Sequence, residues 1–140
     1  MPDEYEYVDH PTHYNEDPSG LEAIEAMRWL PHNPAAAIKY LWRMGRKPDQ
    51  SEVRDMRKAL WYIEDEIANG GFTVRLRPKQ RTRLREVYDT INSVGFEAGS
   101  PREVLLCLLH TYAGAAPERT HLDAMKTARG LLKKCIARLE

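Results

Sequence analysis

The chain has almost nothing from which a disulfide scaffold, a zinc finger or a membrane span could be built. Its 140 residues include two cysteines, Cys107 and Cys135. Neither belongs to a CxxC or zinc-finger spacing, so both are expected as buried, reduced thiols of a cytoplasmic protein. No apolar run approaches the ~20 residues that span a bilayer, and no signal-peptide pattern opens the sequence, so no membrane partner is expected. Net charge is missing as well: 21 Lys and Arg balance 21 Asp and Glu. No global field therefore draws the chain onto nucleic acid or an anionic surface. Neither G-x-x-x-x-G-K-[ST] nor G-x-G-x-x-G occurs, which excludes a standard phosphate loop and a dinucleotide fingerprint.

What charge there is lies unevenly. Residues 1–25 carry only acidic charges, among them Asp9, Asp17, Glu22 and Glu25, whereas Arg75, Arg77, Lys79, Arg81, Arg83 and Arg85 form a basic ladder at every second position. An acidic end and a basic middle can pair within one chain or between subunits, and a homo-oligomer is expected.

The hydrophobic pattern predicts a mainly α protein in two units, 1–69 and 70–140. Residues 1–18 show no helical period and contain Pro2, Pro11 and Pro18, the mark of an extended arm. Ser19 with Glu22 reads as a capping box opening a short helix whose buried face is Leu21, Ile24 and Met27, ended by Pro31. Asn33 and Pro34 open a second helix that stops near Gly45. A third follows Ser51, with Val53, Met56, Leu60, Ile63 and Ile67 as its apolar stripe, and breaks at Asn69-Gly70-Gly71. Then the period changes to two over Phe72–Arg77, a short strand. Three helices are expected after it. The first has Leu84, Val87, Tyr88 and Ile91 on one face. The second opens at a Ser100/Glu103 capping box and carries Val104, Leu105, Leu108, Leu109 and Tyr112. The last starts at Thr120 and Asp123, with Met125, Leu132, Cys135, Ile136 and Leu139 inward.

Chemistry concentrates in the first half. Lys39 and Arg43 lie four apart on the second helix, with Tyr40 between them and Arg46 and Lys47 just beyond. Arg offers a planar fork of donors and Lys a mobile point charge, a pairing suited to phosphate. The third helix adds Lys58, Trp61, Tyr62 and Asp65, an aromatic face beside cations that a base with a phosphate tail would need. Trp42 can point into the core or toward the base. His10 and His13 could ligate a metal with Glu22 or Glu25, but Pro11 imposes an extended or turn geometry and nothing else has ligand spacing, so no metal site is assigned.

The ordered string His10-Pro11-Thr12-His13-Tyr14, Ala37–Lys47 and Lys58-Ala59-Leu60-Trp61-Tyr62 resembles a small family of phage proteins whose relatives include nucleotide kinases without a conventional phosphate loop. The resemblance spans residues 9–67. It implies phosphoryl transfer to a deoxynucleoside monophosphate from a nucleoside triphosphate, in the host cytoplasm, and leaves the need for a metal open. Under it, Lys39, Arg43, Arg46 and Lys47 hold phosphates, and Lys58 adds charge. His10, His13 and Tyr14 close the site, Tyr40 lies beside it, and Trp42 or Tyr62 faces the base. Glu22 or Glu25 orients the accepting oxygen, which makes His13, Arg43 and Glu22 the expected catalytic set. A protein that sequesters a nucleotide or inhibits a host enzyme would use the same pocket without turnover.

The second half resembles a ribbon-helix-helix module, in which paired strands read the DNA major groove. Thr73, Arg75 and Arg77 would then face nucleic acid, and strand pairing alone would give dimerisation.

Overall fold

A computed structural model describes residues 17–44, 51–70, 76–113 and 118–140, the side chains of 118–120 excepted. Six helices are found among the described residues: α1 (Ala23–Met27), α2 (His32–Arg43), α3 (Glu52–Asn69), α4 (Pro78–Val94), α5 (Pro101–Ala113) and α6 (Glu118–Leu139). None is long and apolar enough to cross a membrane.

The helices pack as a closed circuit. α2 lies on α3, α3 on α6, α6 on α5, α5 on α4, α4 on α1 and α1 back on α2, with α2 also touching α5 across the middle. Buried apolar side chains from every helix join in one core, including Ile38, Trp42, Met56, Ile63, Leu84, Ile91, Leu105, Leu109, Met125 and Leu132. Residues on both sides of the Asn69–Gly70 break share this interior. Burying side chains of this size stabilises by roughly 1.5–3 kcal/mol each, and the core is what sets the facing of α2 and α3.

Most helix faces follow the apolar period. Leu84, Val87 and Ile91 are buried on α4, and Val104, Leu105, Leu108, Leu109 and Tyr112 on α5. Ser51 caps α3, its hydroxyl accepting from the Arg54 amide at 3.1 Å, which answers one of the orphan donors of a helix start. Gly95 ends α4 at φ +91° and Gly99 turns toward α5 at φ +77°, conformations that side-chain-bearing residues seldom adopt.

Several expectations need correction. The first capping box sits three residues later than the pattern suggests: the Glu25 carboxylate accepts from the Glu22 amide at 2.9 Å, while the Ser19 hydroxyl donates to Asp17 at 2.5 Å. As acceptor the same hydroxyl takes the Leu21 amide at 3.2 Å, two residues on and ahead of the helix. With the start shifted, α1 buries Ala23 and Ala26 and leaves Ile24 exposed. Pro34 falls inside the first turn of α2 instead of at its first position, still where no intrahelical amide is needed. At Ser100 the expected box fails too, because Glu103 takes the amide of Gly99 at 2.6 Å. On α3 the most buried line is Met56, Ala59 and Ile63, with Asp55 and Glu66 beside it, and Val53, Leu60 and Ile67 sit at its margin. Leu139 is exposed near the end of α6, and Cys107 is only half-buried, although Cys135 is buried as expected.

No strand occurs among the described residues. Most of the expected strand, including Thr73 and Arg75, lies outside them. Arg77 is the N-cap of α4 and its amide donates to Gln80 Oε1 at 2.9 Å. Proline at Pro78 fixes a helical start, which overrides the alternating pattern at this residue. The ladder from Lys79 to Arg85 is therefore wound around α4. Part of the acidic–basic match closes within one chain: Arg83 meets Glu25 at 2.5 Å, and Arg102 holds Asp17 through two contacts of 2.7 Å.

Candidate functional site

The helix pair α2–α3 gathers five of the expected site residues on one face. Lys39, Tyr40 and Arg43 project from α2, and Lys58 and Tyr62 from α3. Spacings of three and four residues put each set on one side of its own helix, and packing of α2 against α3 brings the sets together. The Tyr40 ring is the centre. Lys39 Nζ lies 5.8 Å from its centroid, Lys58 Nζ 5.3 Å and the Arg43 guanidinium 4.6 Å. Cations at this range are drawn to the negative face of the ring.

Tyr62 stacks on Tyr40 with centroids 5.9 Å apart and planes 12° from parallel. His32 meets Tyr62 edge-on at 5.7 Å, and Trp61 does so at 5.1 Å. Asn33, one residue into α2, donates to Asp65 at 2.9 Å, and Asn69 donates to the other oxygen of the same carboxylate at 3.0 Å. These two donors hold the Asp65 carboxyl below the usual carboxylate range. The start of α2 is thereby tied to the end of α3.

Beneath the stack lies a charge pair. Arg43 is 6 % exposed and Asp55 is fully buried, with nitrogen and oxygen 3.5 Å apart. A charge at such depth is tolerated when it is compensated. The Arg43 guanidinium thus serves two surfaces: Asp55 below and the Tyr40 ring above.

Of the other expected residues, Trp42 is 1 % exposed and belongs to the core. Arg102 lies over its ring at 5.6 Å, so the indole packs against the protein and is not placed to face a base. Of the two aromatics expected to face the base, Tyr62 is the one left for that role. Glu22 caps α1, its amide held by Glu25, while Glu25 is engaged by Arg83. Both carboxylates have structural work at α1. His10, His13, Tyr14, Arg46 and Lys47 lie outside the described residues. On the alternative nucleic-acid surface, Arg77 heads a helix, as described above. No group of three or more His, Cys, Asp or Glu among the described residues is placed to hold a metal ion.

Five residues take part in contacts that the sequence pattern does not announce. Asp55 could have been noticed as a charge adjoining the apolar positions Val53 and Met56. His32 and Asn33 stood inside the proline-flanked segment Leu30–Pro34, whose turn residues drew attention away from their side chains. Arg102 and Asp17 are 85 positions apart and leave no local signal.

Two further groups of polar side chains lie elsewhere. Tyr112 Oη is 3.0 Å from His121 Nδ1, and His121 Nε2 is 3.7 Å from Glu66 Oε2 in a largely buried cluster between α3, α5 and α6. Burial, helped by the charge of Glu66, pushes the Tyr112 phenol well above its ordinary range. The Cys107 thiol is also pushed up, by burial first and the nearby Glu103 second, and Cys135 donates to Gly99 O at 3.0 Å. The raised Cys107 thiol is therefore not in a setting that favours the nucleophilic thiolate.

Among known families, one described as a protein of unknown function (DUF3310) matches residues 8–64. That stretch is under half of the chain, and it holds His10 and His13, α1, α2 and the Lys58–Tyr62 part of α3. No curated protein and no solved structure matches the chain.

Proposed function

We propose that the α2–α3 face binds a nucleotide and that the protein is a nucleotide kinase-like phosphotransferase working without a phosphate loop. The observation that carries this reading is the Tyr40 ring, ringed by Lys39, Arg43 and Lys58 and stacked on Tyr62. Such a face offers Lys39 and Lys58 to a phosphate and aromatic surface to a base within one small area, with Arg43 buried beneath. Phosphoryl transfer depends chiefly on positioning and charge neutralisation, which side chains can supply. In the proposed reaction the terminal phosphoryl of a nucleoside triphosphate leaves its β-phosphate oxygen and joins a phosphate oxygen of a deoxynucleoside monophosphate, giving two diphosphates. His10, His13, Tyr14, Arg46 and Lys47 belong to the same proposal as the groups that close the site and add charge. Assembly of subunits through the C-terminal half is proposed with it.

A thermal-shift and calorimetric series against deoxynucleoside monophosphates tests the binding. A ligand at ~100 times its dissociation constant stabilises a fold by about 2.7 kcal/mol, a shift readily seen. Stabilisation by a monophosphate, lost in Tyr62→Leu, is the expected result. Release of diphosphates in a coupled assay then separates a kinase from a protein that only sequesters the nucleotide. No stabilisation by any monophosphate would overturn the reading.

A further inference from the structure

The α3 helix continues past the tyrosine stack toward its own start, and its surface there has a separate character. An open cavity of about 520 Å³ is lined by Ser51, Val53, Arg54, Arg57, Lys58 and Trp61. That volume falls in the range of small-molecule sites. Trp61 is 61 % exposed, the most exposed of the large apolar side chains among the described residues. It meets Tyr62 in a T-shaped contact with centroids 5.1 Å apart, and most of the indole surface remains to be covered.

Arg54, Lys58 and Trp61 follow one another at four and three residues, and Arg57 lies beside them. This is one stripe about two turns, or roughly 10 Å, long. Arg57 meets Glu140 in an exposed pair; such a pair is weak, and little is lost if a phosphate oxygen replaces the carboxylate. Arg54 is exposed, with no carboxylate on its guanidinium among the described residues.

We infer that this Ser51–Trp61 face of α3 seats a nucleoside triphosphate, its phosphates along Arg54, Arg57 and Lys58 and its base against Trp61. The inference rests on the reading that the Tyr40–Tyr62 face takes the monophosphate, and it adds where the donor lies. Lys58 joins the two faces: it lines the cavity and also stands 5.3 Å from the Tyr40 ring. A cation between donor and acceptor is where charge neutralisation is needed during transfer. A nucleic-acid strand fits the same chemistry less well. Strand-binding grooves track several nucleotides with successive stacking platforms, whereas this stripe has one exposed indole and two helical turns.

The test is calorimetric titration of the full chain with ATP, a deoxynucleoside monophosphate and an oligothymidylate, each with wild type, Arg54→Ala/Arg57→Ala and Trp61→Ala. These side chains are exposed, so circular dichroism should show the variants folded. Expected is a loss of at least tenfold in ATP affinity for both variants, with monophosphate affinity within twofold of wild type. Quenching of Trp61 fluorescence by ATP should vanish in Trp61→Ala. ATP affinity unchanged in both variants, while the monophosphate still binds, would overturn the donor site and leave the acceptor reading intact. Monophosphate binding absent from wild type while ATP follows Arg54 and Arg57 would overturn the acceptor reading alone. Tighter, variant-sensitive binding of the oligothymidylate than of ATP would replace the triphosphate with a strand and overturn the inference.

Discussion

The helix pairs α2–α3 and α5–α6 both lie in the same core, yet they spend their interiors differently. Apart from the Tyr112–His121 pair, α5 and α6 bury apolar side chains, among them Leu105, Leu108 and Leu109 on α5 and Met125, Ala128 and Leu132 on α6. Between α2 and α3 a charged pair, Arg43 with Asp55, is buried, and two tyrosines stack above it. Apolar burial is non-directional and tolerates rotation of one helix against another. A buried ion pair and a ring stack tolerate it far less, because both depend on orientation as well as distance. The contrast teaches a division of labour: α5–α6 supplies stability, and α2–α3 uses part of its stability to hold side chains at fixed angles.

Breaking the charged pair should have the largest effect. Arg43→Glu places a second carboxylate beside Asp55 in the interior, and losing one partner of a buried pair costs about 3–5 kcal/mol. That is a large share of a domain's ~5–15 kcal/mol. Urea denaturation should show the midpoint falling sharply or no cooperative transition at all. A charge reversal here therefore reports on folding before it reports on ligand binding. A midpoint within the error of wild type would mean that the pair does not hold α2 on α3.

On the other side of the comparison, Leu108→Ala opens a cavity among the α5–α6 aliphatics. Fully buried leucines cost about 2–5 kcal/mol on truncation to alanine. Denaturation should register that loss, whereas monophosphate affinity, measured below the unfolding range, should stay within twofold. Loss of binding in step with stability would erase the distinction between the two helix pairs.

Asp17 tests how the segment before α1 is fastened. Burial by itself would raise its carboxyl, but the Arg102 fork and the Ser19 donors outweigh burial and hold it at about 2, against an ordinary 3.8. A carboxyl depressed in the folded state contributes stability that is complete above its unfolded value and is lost as pH falls through the folded one. The loss should therefore run from about pH 4 to pH 2. At neutral pH the contribution is about 1–2 kcal/mol once solvent screening is allowed for. Asp17→Asn should lose that amount at pH 7 and show a flatter acid limb than wild type. Parallel acid limbs in the two proteins would remove Asp17 as their cause.

The parts of this arrangement that were legible in the sequence are the ones that repeat. Leu84–Val87–Ile91 and Leu105–Leu108–Leu109–Tyr112 announce a helix because apolar residues recur at its period. Lys39, Arg43, Lys58 and Tyr62 were readable as stripes for the same reason. What repetition cannot convey is which of two neighbouring stripes turns inward. On α3 that was decided by Ala59, small enough for close approach, and by Asp55, drawn in by Arg43 from another helix. Nor does a capping pattern say which amide a hydroxyl will take, as Ser19 shows by accepting from Leu21 ahead of the helix. The alternation that suggested a strand at Leu76 and Arg77 gave way to the helix start fixed by Pro78. Trp42 illustrates the general difficulty: one indole is compatible with core and with base stacking, and only the position of Arg102, sixty residues away, accounts for its packing.

The smallest expected change in stability belongs to Tyr62→Leu, and it sharpens the comparison most. The Tyr40–Tyr62 contact is worth about 0.5–1.5 kcal/mol beyond the area it buries. Leucine restores much of that area and none of the ring face. Unfolding should therefore shift by about 1 kcal/mol or less, well below the effect of Arg43→Glu or Leu108→Ala. Monophosphate affinity should nevertheless fall at least tenfold, because the base loses its platform while Lys39 and Lys58 remain for the phosphate. Inorganic phosphate offers the internal control: its affinity should be the same in both proteins, since it has no base to stack. A drop for inorganic phosphate equal to that for the nucleotide would show that the ring positions the cations and does not meet the base. Unchanged affinity for both would remove Tyr62 from the site, leaving the stack as a strut between α2 and α3.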